Sequence, residues 1–203
     1  MSADFLSLDP VESARGIGRV VLSAVVPRPI GWISTVAADG TPNLAPFSYF
    51  NLISSSPPAI MVSPAARGDR PKDTLANARA TGELVAHIVD AAHARAMNET
   101  AAEVGPEVDE FALGGLITLP SDLVRPPRIA TAPVAMEART IQFVEIPDSP
   151  YTVILARVVR IHVRRDVLDE TGAVDPRKLR PVARLGGELY AELGEIFAMK
   201  RPP

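Results

Sequence analysis

Proline residues border two of the apolar runs in the first third of this chain. Pro27 closes the apolar segment 18–26, and the proline pair at residues 57–58 precedes the short apolar run 59–63. Because proline lacks a backbone donor and clashes with the preceding turn, helices end before such positions. The chain must therefore fold largely from short segments, and several of these are rich in residues typical of β-strands.

Two pairs of these segments have the pattern of a β-hairpin. Residues 31–37 and 43–50 flank Asp39-Gly40, a strong tight-turn signal. The longer segments 134–146 and 151–164 are joined by a proline-rich turn. Strands connected in this way pair antiparallel, so the pattern favours a β-barrel over a doubly wound parallel sheet.

Helices are expected as insertions between strands. The remaining predicted elements are a short helix at 74–79, a strand at 83–89, a helix at 91–102 capped by Asp90, a long ordered loop at 114–133 and an amphipathic helix at about 188–199. The sequence thus predicts a mainly β fold with peripheral helices. We expect one domain over residues 1–203, since no repeat or boundary divides the chain.

Charge and composition exclude several function classes. The net charge is −3, the isoelectric point is near 5.7 and basic residues form no continuous stripe, which argues against a nucleic-acid partner. Cysteine is absent, so disulfides, thiolate metal sites and thiol redox chemistry are excluded. The start of the sequence lacks a signal-peptide pattern, and no run approaches the ~20 apolar residues of a membrane span. We expect a cytoplasmic protein with no membrane partner.

Residues 43–51 form the first candidate binding segment. Amides, a hydroxyl and three aromatic residues lie on or beside one predicted strand. Aromatic rings can border a flat ligand while a serine or an asparagine meets its heteroatoms. An ordinary amphipathic strand with its aromatics in the core explains the composition equally well.

Residues 63–74 form the second candidate segment. They lead from a strand through a basic loop into a helix start. Arg67 or Arg70 and Lys72 supply charge there, and Ser63 and Thr74 supply hydroxyls. Such an arrangement is typical of an anion site. The alternative is a solvated loop in which Asp73 or Thr74 acts as the helix N-cap.

Conventional catalytic motifs are missing from the sequence. The three histidines, His87, His93 and His162, are too scattered for a metal signature, and each is expected to be structural or exposed. Neither a phosphate-binding P-loop nor a Gly-x-Gly-x-x-Gly fingerprint occurs, and no nucleophile elbow surrounds the serines at 54–56. Any redox role must therefore use a bound cofactor.

The motifs PRPIGWIST at 27–35, NLAPFSYFN at 43–51, the prolines at 57–58 and KDT at 72–74, in this order and spacing, resemble the flavin reductase-like, FMN-binding split-barrel family. The later stretch from residue 161 to Tyr190 is similar to the C-terminal part of that family. The resemblance implies a Greek-key split barrel and a homodimer, with FMN in a groove at or near the subunit interface.

The resemblance also implies which residues hold the cofactor. The expected FMN-binding residues are Ser34, Thr35, Ala45, Pro46, Phe47, Ser48, Tyr49, Phe50 and Asn51 along the ring and ribityl chain, and Ser63, Arg67, Lys72, Asp73 and Thr74 around the phosphate. His162 and Tyr190 are expected to hold the nicotinamide or shape the pocket, although packing explains them equally well.

The activity implied is hydride transfer from NADH or NADPH to the flavin, which performs the chemistry in place of a catalytic acid, base or nucleophile. Reduced flavin would then pass to a separate flavin-dependent monooxygenase. Because the sequence has no recognisable NADH motif, two alternatives stay open: an FMN-binding electron carrier or sensor without turnover, and another oxidoreductase activity on the same barrel.

Overall fold

The computed structural model describes residues 4–11, 14–66, 68 and 70–202, and in this part of the chain the centre is a seven-stranded antiparallel sheet. The strands are β1 (Arg28–Pro29), β2 (Gly31–Val36), β3 (Pro42–Phe47), β4 (Phe50–Ser55), β5 (Pro58–Val62), β6 (Glu83–Ile88), β7 (Thr118–Leu119), β8 (Arg128–Ile129), β9 (Val134–Glu145), β10 (Thr152–Val163), β11 (Ala183–Arg184) and β12 (Tyr190–Ala191). The central sheet has the order β3-β2-β6-β9-β10-β5-β4.

The two edge strands of this sheet, β3 and β4, are consecutive in the chain and are separated only by Ser48 and Tyr49. So short a link forces the two edges together, and the sheet curls into a barrel that is split between them. Phe47 at the end of β3 and Phe50 at the start of β4 are both buried in the interior. The split barrel expected from the sequence is confirmed.

One apolar cluster fills the barrel and takes side chains from all seven strands. Its fully buried members include Ile33 of β2, Leu84 of β6 and Ile154 of β10. Each strand contributes alternate residues to this interior, as the period of two in a strand requires. The burial of apolar area in this cluster is the main stabilising contribution to the barrel.

Both predicted hairpins are present. In the first, the registers of β2 and β3 run from Gly31 opposite Phe47 to Val36 opposite Pro42. In the second, β9 and β10 pair along their full length, with two register shifts. The extended segment predicted at 43–50 is interrupted by a bend at residues 48–49, which is the bend that closes the barrel.

Helices lie outside the central sheet, as the mainly β prediction requires. They are α1 (Ala14–Ala24), α2 (Asp73–Thr81), α3 (Ala94–Glu99), α4 (Glu110–Leu113) and α5 (Pro176–Leu179), with single 3-10 turns at Ala91–His93 and Arg165–Val167. The helix predicted at 74–79 is confirmed as α2, which ends at Gly82 with φ of 71°. Asp90 caps the predicted helix at 91–102, but this helix is divided into a 3-10 turn and α3.

A second apolar cluster covers the outer face of β2, β3 and β6. Trp32, Leu44 and Val89 pack there against Met97 of α3 and Phe111 of α4. Strand β2 is therefore buried on both faces along its whole length. The loop predicted at 114–133 also packs here, and β7 and β8 form a small two-stranded sheet within it.

The predicted C-terminal helix at about 188–199 is wrong. Tyr190–Ala191 instead forms β12, which pairs with β11, and residues 192–202 carry no helix. A helix here would hold Gly194 in its interior at a cost of about 1 kcal/mol, and the strand pairing of Tyr190 prevails over the apolar periodicity. Over the described ranges, no helix has the length and apolar character needed to cross a membrane.

Candidate functional site

A cleft of about 390 Å³ opens beside the junction of β3 and β4. The bend at Ser48 and Tyr49, which closes the barrel, forms one wall, and the segment around β11 and β12 forms another. Seven of the residues predicted to form the site line this cleft: Pro46, Phe47, Ser48, Tyr49, Ser63, Lys72 and Tyr190. The fold therefore brings together both candidate binding segments and part of the C-terminal segment.

Aromatic side chains border this first cleft. The rings of Tyr49 and Tyr151 lie 5.1 Å apart between centroids, and the ammonium of Lys72 lies 5.4 Å from the centroid of the Phe47 ring. Burial, followed by the proximity of Tyr49, raises the pKa of Tyr151 above its ordinary value. Tyr151 is thus neutral at physiological pH, and the two rings offer flat surfaces with a hydroxyl at the edge.

A second cleft of about 360 Å³ continues from the first, and the two share Pro46, Lys72 and Ala101. This second cleft contains Ala45, Asp73 and Thr74 from the predicted set, together with Asn43, Arg70 and Glu110. Two cationic side chains and several polar groups thus meet at the end of the groove away from Tyr190. The chemistry suits an anion joined to a flatter group in the first cleft.

Two buried polar atoms in the second cleft have no hydrogen-bond partner. They are Nδ2 of Asn43 and Oγ1 of Thr74, on side chains that are 6% and 1% exposed. Leaving a buried donor unsatisfied costs about 1–3 kcal/mol, so such atoms in a native protein call for an explanation. A bound ligand that accepts hydrogen bonds from both atoms would explain why they have no partner within the protein.

The start of α2 lies at the same place. Its N-cap residue is Lys72, and no side chain caps the helix. The alternative in which Asp73 or Thr74 acts as N-cap is therefore wrong, because these are the first two residues of the helix itself. The first N–H groups of a helix carry partial positive charge, which favours an anion in this part of the cleft.

Glu110 and Asp73 are the acidic residues in the lining of the second cleft, and Glu110 is buried. Its Oε2 accepts a hydrogen bond of 3.1 Å from the backbone N–H of Leu44, which aligns α4 with β3. Burial raises the pKa of this carboxyl above its ordinary value, and the nearby carboxylates of Asp73 and Asp109 act in the same direction. Any anion bound beside Thr74 meets this carboxyl as well.

Several predicted site residues do not line either cleft. Ser34 and Thr35 are fully buried, and their hydroxyls bond internally: Ser34 donates to the carbonyl of Pro127 at 2.6 Å, and Thr35 accepts from Asn77 at 3.2 Å. Phe50 belongs to the barrel core, while Asn51 is exposed on β4. Arg67 lies outside the described residues.

His162 is also placed away from the two clefts. Its Nε2 donates to Oε1 of Glu137 at 2.6 Å, and the fully buried Glu137 also accepts from the backbone N–H groups of Asp122 and Leu123. Burial opposes ionisation of Glu137, but these hydrogen bonds outweigh it and lower the pKa of the carboxyl. His162 thus ties the loop at 122–123 to the sheet and does not shape the pocket.

The other two histidines are structural, as expected. The neutral His87 is fully buried in β6, where Nδ1 donates to the carbonyl of Trp32 and Nε2 accepts from the backbone N–H of Ile129. His93 contacts Asp90 through Nδ1 at 2.5 Å, and its Nε2 lies 2.8 Å from the hydroxyl of Thr131.

Two arginines of the cleft walls were not predicted. The guanidinium of Arg28 donates to the carbonyls of Leu22 and Val25 in and after α1 and to the carbonyl of Leu185, at 2.6 to 2.7 Å. It thereby fixes two walls of the first cleft, and its position between two prolines was the available signal. Arg184 reaches the cleft through the pairing of β11 with β12, for which the local sequence gives no signal.

The chain matches the sequence model of the flavin reductase-like domain over residues 22–183. It is 41% identical over 175 residues to an uncharacterized protein of Aquifex aeolicus, covering 86% of this chain and 88% of that one. It is 35% identical to the uncharacterized protein YwrF of Bacillus subtilis, covering 94% and 95% of the two chains. The crystal structure of nitrilotriacetate monooxygenase component B from Bacillus cereus superposes with a TM-score of 0.92 at 34% identity, covering 98% of this chain and all (100%) of that one.

Proposed function

Because this chain belongs to the flavin reductase-like family, we propose that it is an FMN-dependent oxidoreductase that transfers hydride from NADH or NADPH to the flavin. FMN would occupy the two connected clefts, with its phosphate in the second and its ring system in the first. When bound, FMN supplies the hydride-accepting ring for which the described residues offer no substitute.

The observation that carries this proposal is the pair of unsatisfied donors in the second cleft. Asn43 Nδ2 and Thr74 Oγ1 are suited to the phosphate or the ribityl hydroxyls of FMN. Arg70 and Lys72 line the same cleft and would neutralise the phosphate charge through charge-assisted hydrogen bonds. The uncapped N-terminus of α2 adds backbone donors to the same end.

The first cleft suits the flat part of the cofactor. Phe47, Tyr49 and Tyr151 offer ring surfaces, and Ser48 and Ser63 offer hydroxyl groups for heteroatoms at the ring edge. The backbone of residues 46–49 follows the bend between the two edges of the barrel, and the buried Phe47 and Phe50 anchor this bend to the core. These residues bind and orient the cofactor and exclude water from it.

A partner protein is part of the proposal. The similar chain from Bacillus cereus is component B of a nitrilotriacetate monooxygenase, a name that implies at least one further component. We infer that the present chain likewise supplies reduced flavin to a separate monooxygenase. The cytoplasmic location and the single-domain organisation expected from the sequence stay predictions.

The homodimer expected from the family is supported by exposed apolar side chains on two elements. Leu52 and Ile53 of the edge strand β4 are 56% and 49% exposed, and Val20 and Val21 of α1 are 47% and 52% exposed. Large apolar side chains left exposed on a monomer are often covered at subunit interfaces. Sedimentation is expected to give twice the chain mass, and a monomer would contradict this part of the proposal.

Anaerobic stopped-flow absorbance tests the activity. The protein is loaded with FMN, mixed separately with NADH and with NADPH, and followed at the flavin band. Rapid bleaching with one of the two supports a reductase and identifies its donor. FMN binding without bleaching would contradict the reductase and favour the electron carrier or sensor, and no FMN binding would contradict the proposal as a whole.

A further inference from the structure

A third cleft of about 520 Å³ adjoins the first on the side away from the proposed phosphate site. Arg184 and Tyr190 line both the first and the third cleft. The other side chains that line it are Ala94, Arg95 and Asn98 of α3, and Glu188. The three clefts therefore form one groove, with its parts in the order second, first, third.

Arg184 and Tyr190 form the boundary between the first and third clefts. The guanidinium carbon of Arg184 lies 4.5 Å from the centroid of the Tyr190 ring. Arg184 also donates to the hydroxyl of Tyr190 and to the carbonyl of Gly187, while that hydroxyl donates to Asn98 at 3.2 Å. A cation and an aromatic face are thus held in place at the entrance to the third cleft.

Basic side chains reach the third cleft from two elements. Arg184 comes from β11 and Arg95 from α3, where its side chain is 93% exposed and pairs with Glu99 at 3.2 Å. An exposed ion pair of this kind contributes little to stability, so Arg95 can exchange its partner for a phosphate group at small cost. Glu188 is the acidic residue in the lining of the cleft.

A hydride donor must place its nicotinamide against the flavin ring, which the proposed function assigns to the first cleft. The second cleft is then occupied by the flavin phosphate. The rest of a dinucleotide therefore needs a further space that continues from the first cleft, and the third cleft is that space. Its arginines match the phosphates of such a donor, since guanidinium groups bind phosphate oxygens through paired donors.

We propose that the third cleft binds the ADP-ribose half of the hydride donor, with Arg184 and Arg95 holding its phosphate groups and the Tyr190 ring beside the nicotinamide end. This inference rests on the proposed function and adds to it a binding site for the second substrate. Arg184 and Arg95 are substrate-binding residues in this arrangement and take no part in the chemical step.

The test is a binding measurement that does not depend on turnover. Isothermal titration of the FMN-loaded protein with ADP-ribose, and with its 2′-phosphorylated form, measures binding in the third cleft without a nicotinamide in the first. We expect Arg184→Gln and Arg95→Gln each to weaken the binding of the tighter of the two ligands about tenfold or more, the loss expected for one charge-assisted contact. Arg165→Gln, an exposed arginine outside the three clefts, is the matched control and is expected to bind as the wild type does.

The FMN dissociation constant of each variant is measured in parallel with its ADP-ribose affinity. An unchanged FMN dissociation constant shows that the first two clefts are intact, and since Arg95 lies on a helix surface, its variant stays informative if Arg184→Gln disturbs the fold. Wild-type protein that binds neither form of ADP-ribose would overturn the inference, as would variants that bind as tightly as the wild type. Displacement of ADP-ribose by an equal concentration of inorganic phosphate would also overturn it, because the cleft would then take the free ion.

The two proposals fail separately. Arginine-dependent ADP-ribose binding without any bleaching of the flavin would support the third cleft as a dinucleotide site and contradict the reductase. Bleaching by NADH or NADPH at unchanged donor KM in both arginine variants would support the reductase and contradict this site.

Discussion

Phe50 packs directly on the backbone of Gly31: a Cβ at Gly31 would lie 2.4 Å from Cδ2 of Phe50. Gly31 opens β2, the neighbour of the edge strand β3, and Phe50 opens β4 at the opposite edge of the sheet. Their contact brings β4 against β2, whose hydrogen-bond ladders are formed with β3 and β6. It also holds the bend at residues 48–49, which lines the first cleft.

Replacing Gly31 with alanine is expected to destabilise the protein by about 1–3 kcal/mol, the usual cost of overpacking a close contact. The phenyl ring of Phe50 is buried and has little room to move. Denaturant unfolding followed by the fluorescence of Trp32, the only tryptophan and a fully buried one, measures the change. Gly18→Ala on the exposed face of α1, where a Cβ meets nothing within 4 Å, is the control and is expected to leave stability unchanged or raise it.

Local signals were sufficient for much of the barrel. The turn at Asp39-Gly40 and the helix end at Gly82 depend on backbone conformations that their own residues determine. The C-terminal segment was predicted wrongly because its strand pairing with β11 is a contact between segments. The apolar periodicity of a segment does not predict its contacts with other segments.

The candidate site likewise contains residues that local sequence predicts and residues that only tertiary contacts place there. The basic loop and helix start at Lys72 and Thr74 were predicted from adjacent residues, and the structure places both in one cleft. Ser34 was predicted from its motif, but its hydroxyl is used by the carbonyl of Pro127, 93 residues away. Glu110 and Arg184 reach the groove through tertiary packing; Arg184 lies in the C-terminal stretch that resembles the family but was not predicted as a site residue, and Glu110 belongs to no motif.

Thr74→Val tests the proposed phosphate site. The substitution keeps the shape of the side chain and removes a hydroxyl that has no partner in the unliganded protein. We expect FMN binding to weaken about tenfold or more, because a phosphate loses one donor, while the stability of the unliganded protein is unchanged or increased. Fluorescence titration with FMN and denaturant unfolding of the same variant measure the two effects.

Thr118→Val, at an exposed strand position outside the clefts, is the control for this prediction. Unchanged FMN affinity in Thr74→Val would mean that the phosphate does not bind at the start of α2. A loss of stability together with affinity would show instead that Thr74 acts by supporting the fold.

Lys72→Ala tests the charge in the same cleft. Lys72 borders both the first and the second cleft, so its ammonium is within reach of a phosphate bound beside Thr74. We expect FMN to bind at least tenfold more weakly, with an affinity that depends less on salt because one cation is lost. Titrations at low and high ionic strength measure both effects, and Lys200→Ala, an exposed lysine near the C-terminus, is expected to match the wild type in each.

His87 is expected to make the fold sensitive to acid. Burial lowers its pKa from 6.5 to about 4, so between these values the unfolded chain binds a proton that the folded chain excludes. The free energy of unfolding therefore falls as the pH falls from 6.5 towards 4, by up to about 3 kcal/mol from this group. NMR titration of the imidazole is expected to show no protonation of His87 above pH 5, and a midpoint near 6.5 would contradict its burial as a neutral ring.

Glu110→Gln is expected to tighten FMN binding several-fold at mildly alkaline pH. Glu110 lines the second cleft beside Thr74, and its buried carboxylate would repel the phosphate there. Glutamine keeps an oxygen that can accept the hydrogen bond from Leu44, so α4 and β3 stay joined while the charge is removed. Fluorescence titration with FMN measures the effect, and Glu195→Gln, at an exposed position outside the groove, controls for the change in net charge. If Glu110→Gln binds FMN no more tightly than Glu195→Gln does, the phosphate does not lie beside Glu110.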